Sequence, residues 1–175
     1  IIGGLSLFYF YLRRIILSMS EQLPLIFSDT SELFSGLIAG PENKLAIKWL
    51  EKWPEWPPPS RFLNIFGPNA CGKSRLGRFH QQRTGAQILT KLVKWDPLEI
   101  TGNHFILDDI TISKKWSEEA LFFLYQTVTG NSGTVLFLSE KPISNLAWRL
   151  DDLRSRFRSV NAQEILPLSE VSLRP

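Results

Sequence analysis

The residues best suited to chemistry form one short segment bounded by glycines in the first half of the chain. The segment matches the pattern GxxxxGK followed by Ser or Thr, and its residues are Gly67-Pro68-Asn69-Ala70-Cys71-Gly72-Lys73-Ser74. An apolar run precedes it and a helix-compatible sequence follows, which is the context that the pattern requires. Backbone N–H groups and the positive end of a helix dipole converge on such a loop, and Lys73 adds a full charge. The segment therefore predicts a phosphate-binding loop for ATP or ADP, with the Ser74 hydroxyl as a ligand of Mg²⁺.

Two adjacent carboxylates form the second candidate group. Asp108 and Asp109 come directly after the apolar residues Phe105 to Leu107. This order is typical of a buried parallel strand that ends at the ligand-binding edge of a doubly wound sheet. We expect Asp108 to hold Mg²⁺ through water and Asp109 to polarise an attacking water. An acidic strand-to-loop junction without a catalytic role is the alternative.

The elements that must position these groups alternate along the chain. Strands are predicted at residues 62–66, 86–90, 104–110, 134–139 and 165–168, and helices from Pro41 to Pro54, from the phosphate loop to Gly85, from Ser117 to Gly130 and from Ser144 to Phe157. The caps and the apolar periodicity of each segment support these assignments. The alternation predicts an α/β fold of the P-loop NTPase type, a parallel sheet flanked by helices on both faces.

Two further pairs of polar residues are candidates for contacts with the γ-phosphate. Ser139 and Glu140 end the fourth predicted strand, where a polar side chain can contact the γ-phosphate or the attacking water. Arg149 and Arg156 are seven residues apart and are predicted to share a flank of the last helix. An arginine presented in this way can neutralise charge on a γ-phosphate bound by a neighbouring molecule. An ordinary solvated basic face remains the alternative.

Composition limits the class of protein. The chain has 175 residues and a mass of 20.1 kDa, with 43% hydrophobic and 21% charged residues, which suits one α/β domain with a core. A net charge of +3 permits contact with nucleic acid without indicating it, and no basic stripe is evident along the sequence. The single cysteine, Cys71, excludes an intrachain disulfide and favours a reducing compartment such as the cytoplasm.

The first residues are expected to lie outside the nucleotide-binding core. Residues 1–18 are apolar and aromatic around Arg13 and Arg14, but their uninterrupted apolar run is shorter than the ~20 residues of a membrane-spanning helix. We interpret them as a non-native extension upstream of a start at Met19, with no membrane contact. Residues 19–35 are predicted to form an extended arm, and residues 36–175 the nucleotide-binding core.

Six tryptophans are many for a chain of this length. They could form a stacking surface for single-stranded nucleic acid. Trp49 and Trp53, however, lie at helical spacing with Ala46 and Leu50, which favours a place in the core.

In order and spacing, four segments resemble the AAA+ domain of the DnaA-related family. They are the phosphate loop, Leu107 to Ile110, Leu138 to Pro142, and Asp152-Leu153-Arg154-Ser155-Arg156-Phe157. The form of the last segment, and the lack of a helix-turn-helix domain after the core, make the chain most similar to the Hda-type regulatory inactivators of DnaA. Gln22, Leu23 and Leu25 lie where that group carries its peptide for docking on the polymerase sliding clamp.

The resemblance implies a regulator of chromosomal replication initiation with an AAA+ core. Such a protein docks on the sliding clamp, contacts DNA only indirectly, and places Arg156 as a finger in trans in the ATP site of the initiator DnaA. Weak or no ATP hydrolysis of its own is expected, and a nucleotide-dependent homo-oligomer is a further possibility. The helical lid of AAA+ proteins is expected to be absent or truncated, and Asp152 stands where initiators carry an arginine. The alternative function is a stand-alone ATPase that acts on nucleic acid, as a helicase loader does.

Overall fold

The computed structural model describes residues 39–57, 61–94, 96 and 102–167. Within these ranges, none of the helices has the length and hydropathy that crossing a membrane requires. The domain boundaries proposed for residues 1–18 and 19–35, and the arm residues Gln22, Leu23 and Leu25, lie outside the described residues.

Five strands form one parallel sheet. They are β1 (Phe62–Phe66), β2 (Gln87–Leu89), β3 (His104–Ile110), β4 (Thr134–Ser139) and β5 (Asn161–Glu164). Their spatial order is β2-β3-β4-β1-β5, and each of the four pairings is parallel. Because parallel strands point the same way, their carboxyl ends share one edge of the sheet. The phosphate loop follows β1 at that edge.

Within the described residues, four α-helices flank the sheet. They are α1 (Lys44–Glu51), α2 (Lys73–Thr84), α3 (Glu118–Gly130) and α4 (Asp151–Phe157), with a 3₁₀ turn at Ile143–Asn145. Gly85 ends α2 in the left-handed conformation, and Ser117 caps α3 by accepting a hydrogen bond of 3.3 Å from the Ala120 N–H. Both helix ends match the sequence prediction because both depend on local capping chemistry.

The helices cover both faces of the sheet. On one face, alternate strand residues such as Phe105 and Phe137 belong to the same buried cluster as Leu121 of α3 and Phe157 of α4. On the other face, α2 packs so closely that a Cβ on Gly77 would lie 2.8 Å from Leu138 Cδ1. The fold class predicted from the sequence is confirmed.

The first helix places its tryptophans differently from the prediction. Ala46 and Leu50 are fully buried, but Trp49 and Trp53 are only half-buried. Trp56, which follows the helix, is 3% exposed. Its ring stacks on His80 of α2 at 5.5 Å, and its Nε1–H donates to the Trp49 carbonyl over 2.8 Å. The segment after α1 therefore packs on the same face of the sheet as α2.

The prediction of one helix from Ser144 to Phe157 is wrong. The chain forms the 3₁₀ turn, runs extended through Leu146, and enters α4 only at Asp151. Trp148 is buried and donates its Nε1–H to the Ile143 carbonyl over 2.7 Å. The apolar periodicity favours a helix through this segment. Burial of the Trp148 indole and the hydrogen bonds from the Arg149 and Leu150 N–H groups to Glu118 of α3 outweigh it. Arg149 therefore precedes the helix and does not share a face with Arg156.

The last strand also differs from its predicted position. It spans Asn161–Glu164 and pairs with β1, so Ile165 follows the strand where the prediction began it. Ile165 is fully buried at that point. An edge strand of alternating exposure has a weak hydrophobic signal, so the sequence pattern favours the apolar residues that follow it.

Candidate functional site

The phosphate loop joins β1 to α2 through two residues in the left-handed conformation. Ala70 has φ of 61° and Gly72 has φ of 97°, and Gly72 is also the residue that precedes α2. A glycine is the natural choice at the second position, since it adopts positive φ without a steric cost. The first N–H groups of α2 have no partner within a helix and are available to an anion.

Lys73 places its ammonium group at the centre of the loop. Its Nζ donates to the carbonyl oxygens of Gly67 and Pro68 over 2.8 and 2.7 Å, and lies 3.8 Å from Cys71 Sγ. Cys71 is buried and has a free thiol. The loop therefore surrounds one fixed positive charge, which is the arrangement that a phosphate requires.

Gly67 anchors the start of the loop between two neighbouring strands. Its N–H donates to the Ser139 carbonyl over 3.2 Å. A Cβ at this position would lie only 2.4 Å from the Ile165 carbonyl oxygen. The close approach of the two backbones requires glycine, because any side chain would displace the loop from the end of β5.

Ser74 and Asp108 meet at the carboxyl edge of the sheet. The Ser74 hydroxyl donates to Asp108 Oδ1 over 3.2 Å, although the residues are 34 positions apart. A hydroxyl and a carboxylate are oxygen ligands of the kind that Mg²⁺ prefers, and Mg²⁺ commonly takes its other ligands from water and substrate phosphates. The residues present therefore fit the predicted metal.

Asp109 does not join this pair. β3 is irregular between Leu107 and Ile110, where two residues of β3 oppose Leu138 alone on β4. Asp109 has φ of 61°, a conformation that aspartate tolerates better than most residues. Its carboxylate lies 3.8 Å from Lys115 Nζ, with both side chains largely exposed. A bulge of this kind redirects a side chain, and it separates the two carboxylates.

The end of β4 contacts the loop through Glu140. Its Oε1 accepts a hydrogen bond of 2.8 Å from the side-chain amide of Asn69. The Ser139 hydroxyl is instead buried, donating to the Lys141 carbonyl over 2.7 Å. Of the two candidates at this strand end, Glu140 is therefore the one that reaches the phosphate loop.

Arg156 is exposed on the last turn of α4. Its guanidinium lies over the ring of Tyr125 at 5.5 Å from the ring centre. Arg154 pairs with Asp151 within the same helix, whereas Arg156 forms no ion pair with any carboxylate in the described part of the chain. The guanidinium of Arg156 is thus held on an aromatic face with its donors open to solvent.

Sequence reasoning missed two residues that support the site. Asn64 is buried in β1, donates to Ser139 Oγ over 2.8 Å and accepts from the Ile143 N–H over 2.9 Å. Its signal was a lone polar residue inside an apolar strand. Glu118 accepts hydrogen bonds from the backbone N–H groups of Arg149 and Leu150, and no local pattern marks that contact.

Together, the sheet order, the loop and the Ser74–Asp108 contact define the fold of a P-loop NTPase. A crystal structure described as a DNA replication initiation factor matches with a TM-score of 0.60 and 17% identity, covering 78% of this chain and 50% of that chain. Replication initiator DnaA bound to AMPPCP and single-stranded DNA matches with a TM-score of 0.56 and 18% identity, covering 73% and 47%. AMPPCP-bound DnaA from Aquifex aeolicus gives 0.56 and 18%, covering 73% and 48%.

These likenesses establish the fold. The chain spans about half the length of each of these solved structures. No family model matches the sequence. No curated protein matches it either.

Proposed function

We propose that this chain binds ATP or ADP with Mg²⁺ at residues 67–74. The observation that carries the proposal is the contact between Ser74 and Asp108, because it assembles a metal-ligand pair beside the loop that holds the Lys73 ammonium. The AMPPCP in two of the structural neighbours is an analogue of the same class of ligand. Lys73 would hold the phosphates, and Ser74 and Asp108 the metal.

The proposed role of the nucleotide-bound protein is the regulation of replication initiation. Its support is the similarity to replication initiators, together with the exposed and unpaired guanidinium of Arg156. In this proposal the arm residues Gln22, Leu23 and Leu25 dock on the sliding clamp. Arg156 then enters the ATP site of a DnaA molecule and promotes hydrolysis there.

The chain itself is proposed to hydrolyse ATP weakly or not at all. Asp109 is the candidate for polarising water, but its carboxylate is paired with Lys115 and separated from the Ser74–Asp108 pair by the bulge. The bound nucleotide would then act mainly on the conformation of the protein, and the catalytic contribution would be made in trans.

Nucleotide binding is tested by thermal unfolding with Mg-ADP and Mg-ATP. A ligand at a hundred times its dissociation constant adds about 2.7 kcal/mol to the free energy of unfolding. We expect this gain for the wild-type chain and for Lys114→Ala, which removes an exposed lysine outside residues 67–74. The gain should be absent in Lys73→Ala, and it should lose its Mg²⁺ dependence in Asp108→Asn. Equal stabilisation of all four proteins would refute the site.

The role in trans is tested by measuring ATP hydrolysis by DnaA on clamp-loaded DNA. Arg156→Ala should abolish the stimulation without changing nucleotide binding, while the neighbouring Arg158→Ala should leave both unchanged. Replacement of Gln22 and Leu23 by alanine should abolish clamp pull-down. The competing function, a stand-alone ATPase on nucleic acid, predicts hydrolysis by this chain alone that single-stranded DNA stimulates.

A further inference from the structure

The two helices on one face of the sheet carry an exposed set of basic side chains. Lys44, Lys48 and Lys52 recur every fourth residue along and just after α1, and Arg75, Arg78 and Arg83 lie on α2. All six are exposed. We call these six residues the basic face.

Acidic residues do not balance the basic face. The sequence of α2 contains no aspartate or glutamate, and Glu51 and Glu55 are the exposed carboxylates along and after α1. Two ion pairs form in the described ranges, Lys115–Asp109 and Arg154–Asp151, and neither involves the basic face. Lys52 lies over the Trp49 ring and Arg83 over the Phe79 ring, but no described carboxylate neutralises any of the six cations.

The opposite face of the sheet is electrically balanced. Its two helices and the residues that flank α4 carry four acidic and four basic side chains, which are Glu118, Glu119, Asp151, Asp152, Arg149, Arg154, Arg156 and Arg158. Of the two helical layers, the α1–α2 layer therefore carries the excess of positive charge. A one-sided basic surface is the electrostatic signature of a protein that contacts phosphodiester backbones.

The spacing of the basic face suits a regular polyanion. Residues four apart on a helix recur about every 6 Å along its axis, so the α1 lysines form a row of evenly spaced charges. The buried residues Ala46, Ile47 and Leu50 lie on the far side of the helix from this row. On α2, Leu76 and Phe79 likewise face the sheet while Arg75 and Arg78 are exposed.

The same surface is poorly suited to a protein partner. Protein interfaces depend on desolvated apolar or aromatic anchors near their centre. Among the described residues, Leu45 is the one large apolar side chain exposed on either helix, at 58%. The other exposed large apolar side chains lie elsewhere, at Val93, Ile112, Phe123 and Leu166.

We propose that the basic face binds the phosphate backbone of duplex nucleic acid without reading its sequence. This goes beyond the proposed regulatory function, in which DNA is contacted only indirectly. It requires neither the clamp nor a bound nucleotide. Contact between Arg75 and DNA would also bring the duplex beside the phosphate loop, since Arg75 follows Ser74 directly.

The test is binding of the full chain to a fluorescent duplex of arbitrary sequence, followed by anisotropy between about 50 and 200 mM salt. Each phosphate contact contributes about 0.9 to the slope of log K against log salt. The variant Lys44→Gln/Lys48→Gln/Arg75→Gln/Arg78→Gln should lower that slope by about three units and weaken binding at low salt about a hundredfold. These four side chains are exposed, and far-UV circular dichroism would verify that the variant is folded.

The control removes two positive charges, half as many as the first variant, from the opposite face of the sheet. Arg149→Gln/Arg158→Gln should leave the slope within about one unit of wild type. The proposal is overturned if the wild-type chain does not bind the duplex, if both variants lose the same affinity, or if polyglutamate competes as well as DNA at equal charge. The last outcome would indicate an acidic protein partner. If the four-residue variant loses DNA binding but Mg-ADP still stabilises it against unfolding, the basic face acts independently of the phosphate loop.

Discussion

The carboxylate of Glu118 accepts a hydrogen bond of 2.7 Å from the backbone N–H of Leu150. It also accepts one of 2.9 Å from the N–H of Arg149. Glu118 opens α3, while Leu150 immediately precedes α4. One side chain therefore fixes where the helix that carries Arg156 begins.

We expect Glu118→Ala to lower the free energy of unfolding by about 1–2 kcal/mol, because two backbone donors lose a charged acceptor. Glu119→Ala is the matched control, since the Glu119 carboxylate is exposed and accepts from the Ser117 hydroxyl and its own backbone N–H, both at the start of its own helix. Urea unfolding of the two variants provides the measurement. If they prove equally stable, Glu118 does not anchor α4.

Asn64→Leu should destabilise the chain by about 1–3 kcal/mol, although leucine fills a similar volume. The substitution leaves the buried Ile143 N–H without its acceptor and Ser139 Oγ without its donor, although the Ser139 hydroxyl still donates to the Lys141 carbonyl. A double-mutant cycle with Ser139→Ala should give a coupling energy of at least about 0.5 kcal/mol. Strict additivity would show that the two side chains act independently.

Gly67→Ala should cost about 1–3 kcal/mol, since a Cβ cannot fit 2.4 Å from a backbone oxygen. Nucleotide binding should weaken as well, because the loop must move away from Ile165. Gly130→Ala offers a comparison within a helix, where a Cβ meets nothing within 4 Å and should raise stability by about 0.5–1 kcal/mol. Thermal unfolding with and without Mg-ADP separates the two effects, and a neutral Gly67→Ala would contradict the packing argument.

Stability should fall as the pH is lowered from 6.5 towards 4. Burial against Trp53 and Trp56, with repulsion from Arg83 and His104, lowers the pKa of His80 from 6.5 to about 4. Between these values the unfolded chain binds a proton that the folded chain excludes, so acid favours unfolding. Burial lowers the pKa of His104 too, which acts in the same direction.

The His80 contribution is at most about 3 kcal/mol, given 1.36 kcal/mol for each unit of pKa difference. His80→Phe retains an aromatic ring against Trp56 and removes the titrating group. Its free energy of unfolding, measured by denaturant at about pH 7.5 and about pH 5, should depend on pH much less than that of wild type. An unchanged pH dependence would assign the effect to other groups.

The sequence predicts most closely the parts of the fold that depend on local chemistry. The bounds of β1, β3 and β4 match the prediction, because each contains a run of apolar residues that is buried on both faces of the sheet. The phosphate loop and the ends of α2 and α3 also match, since glycine and serine caps act within a few residues. The edge strand β5 and the start of α4 do not match, as both depend on partners far along the chain.

By itself, then, the sequence determined the α/β class, the phosphate loop and the candidates Ser74, Asp108, Asp109 and Arg156. Only the tertiary structure decided that Ser74 meets Asp108, that a bulge turns Asp109 towards Lys115, and that Glu118 separates Arg149 from the helix of Arg156. The fold also places the basic side chains of α1 and α2, which are distant in sequence, on one face of the sheet. The physical reason is that charge and hydrogen-bond partners act through space, whereas a sequence pattern records only neighbours along the chain.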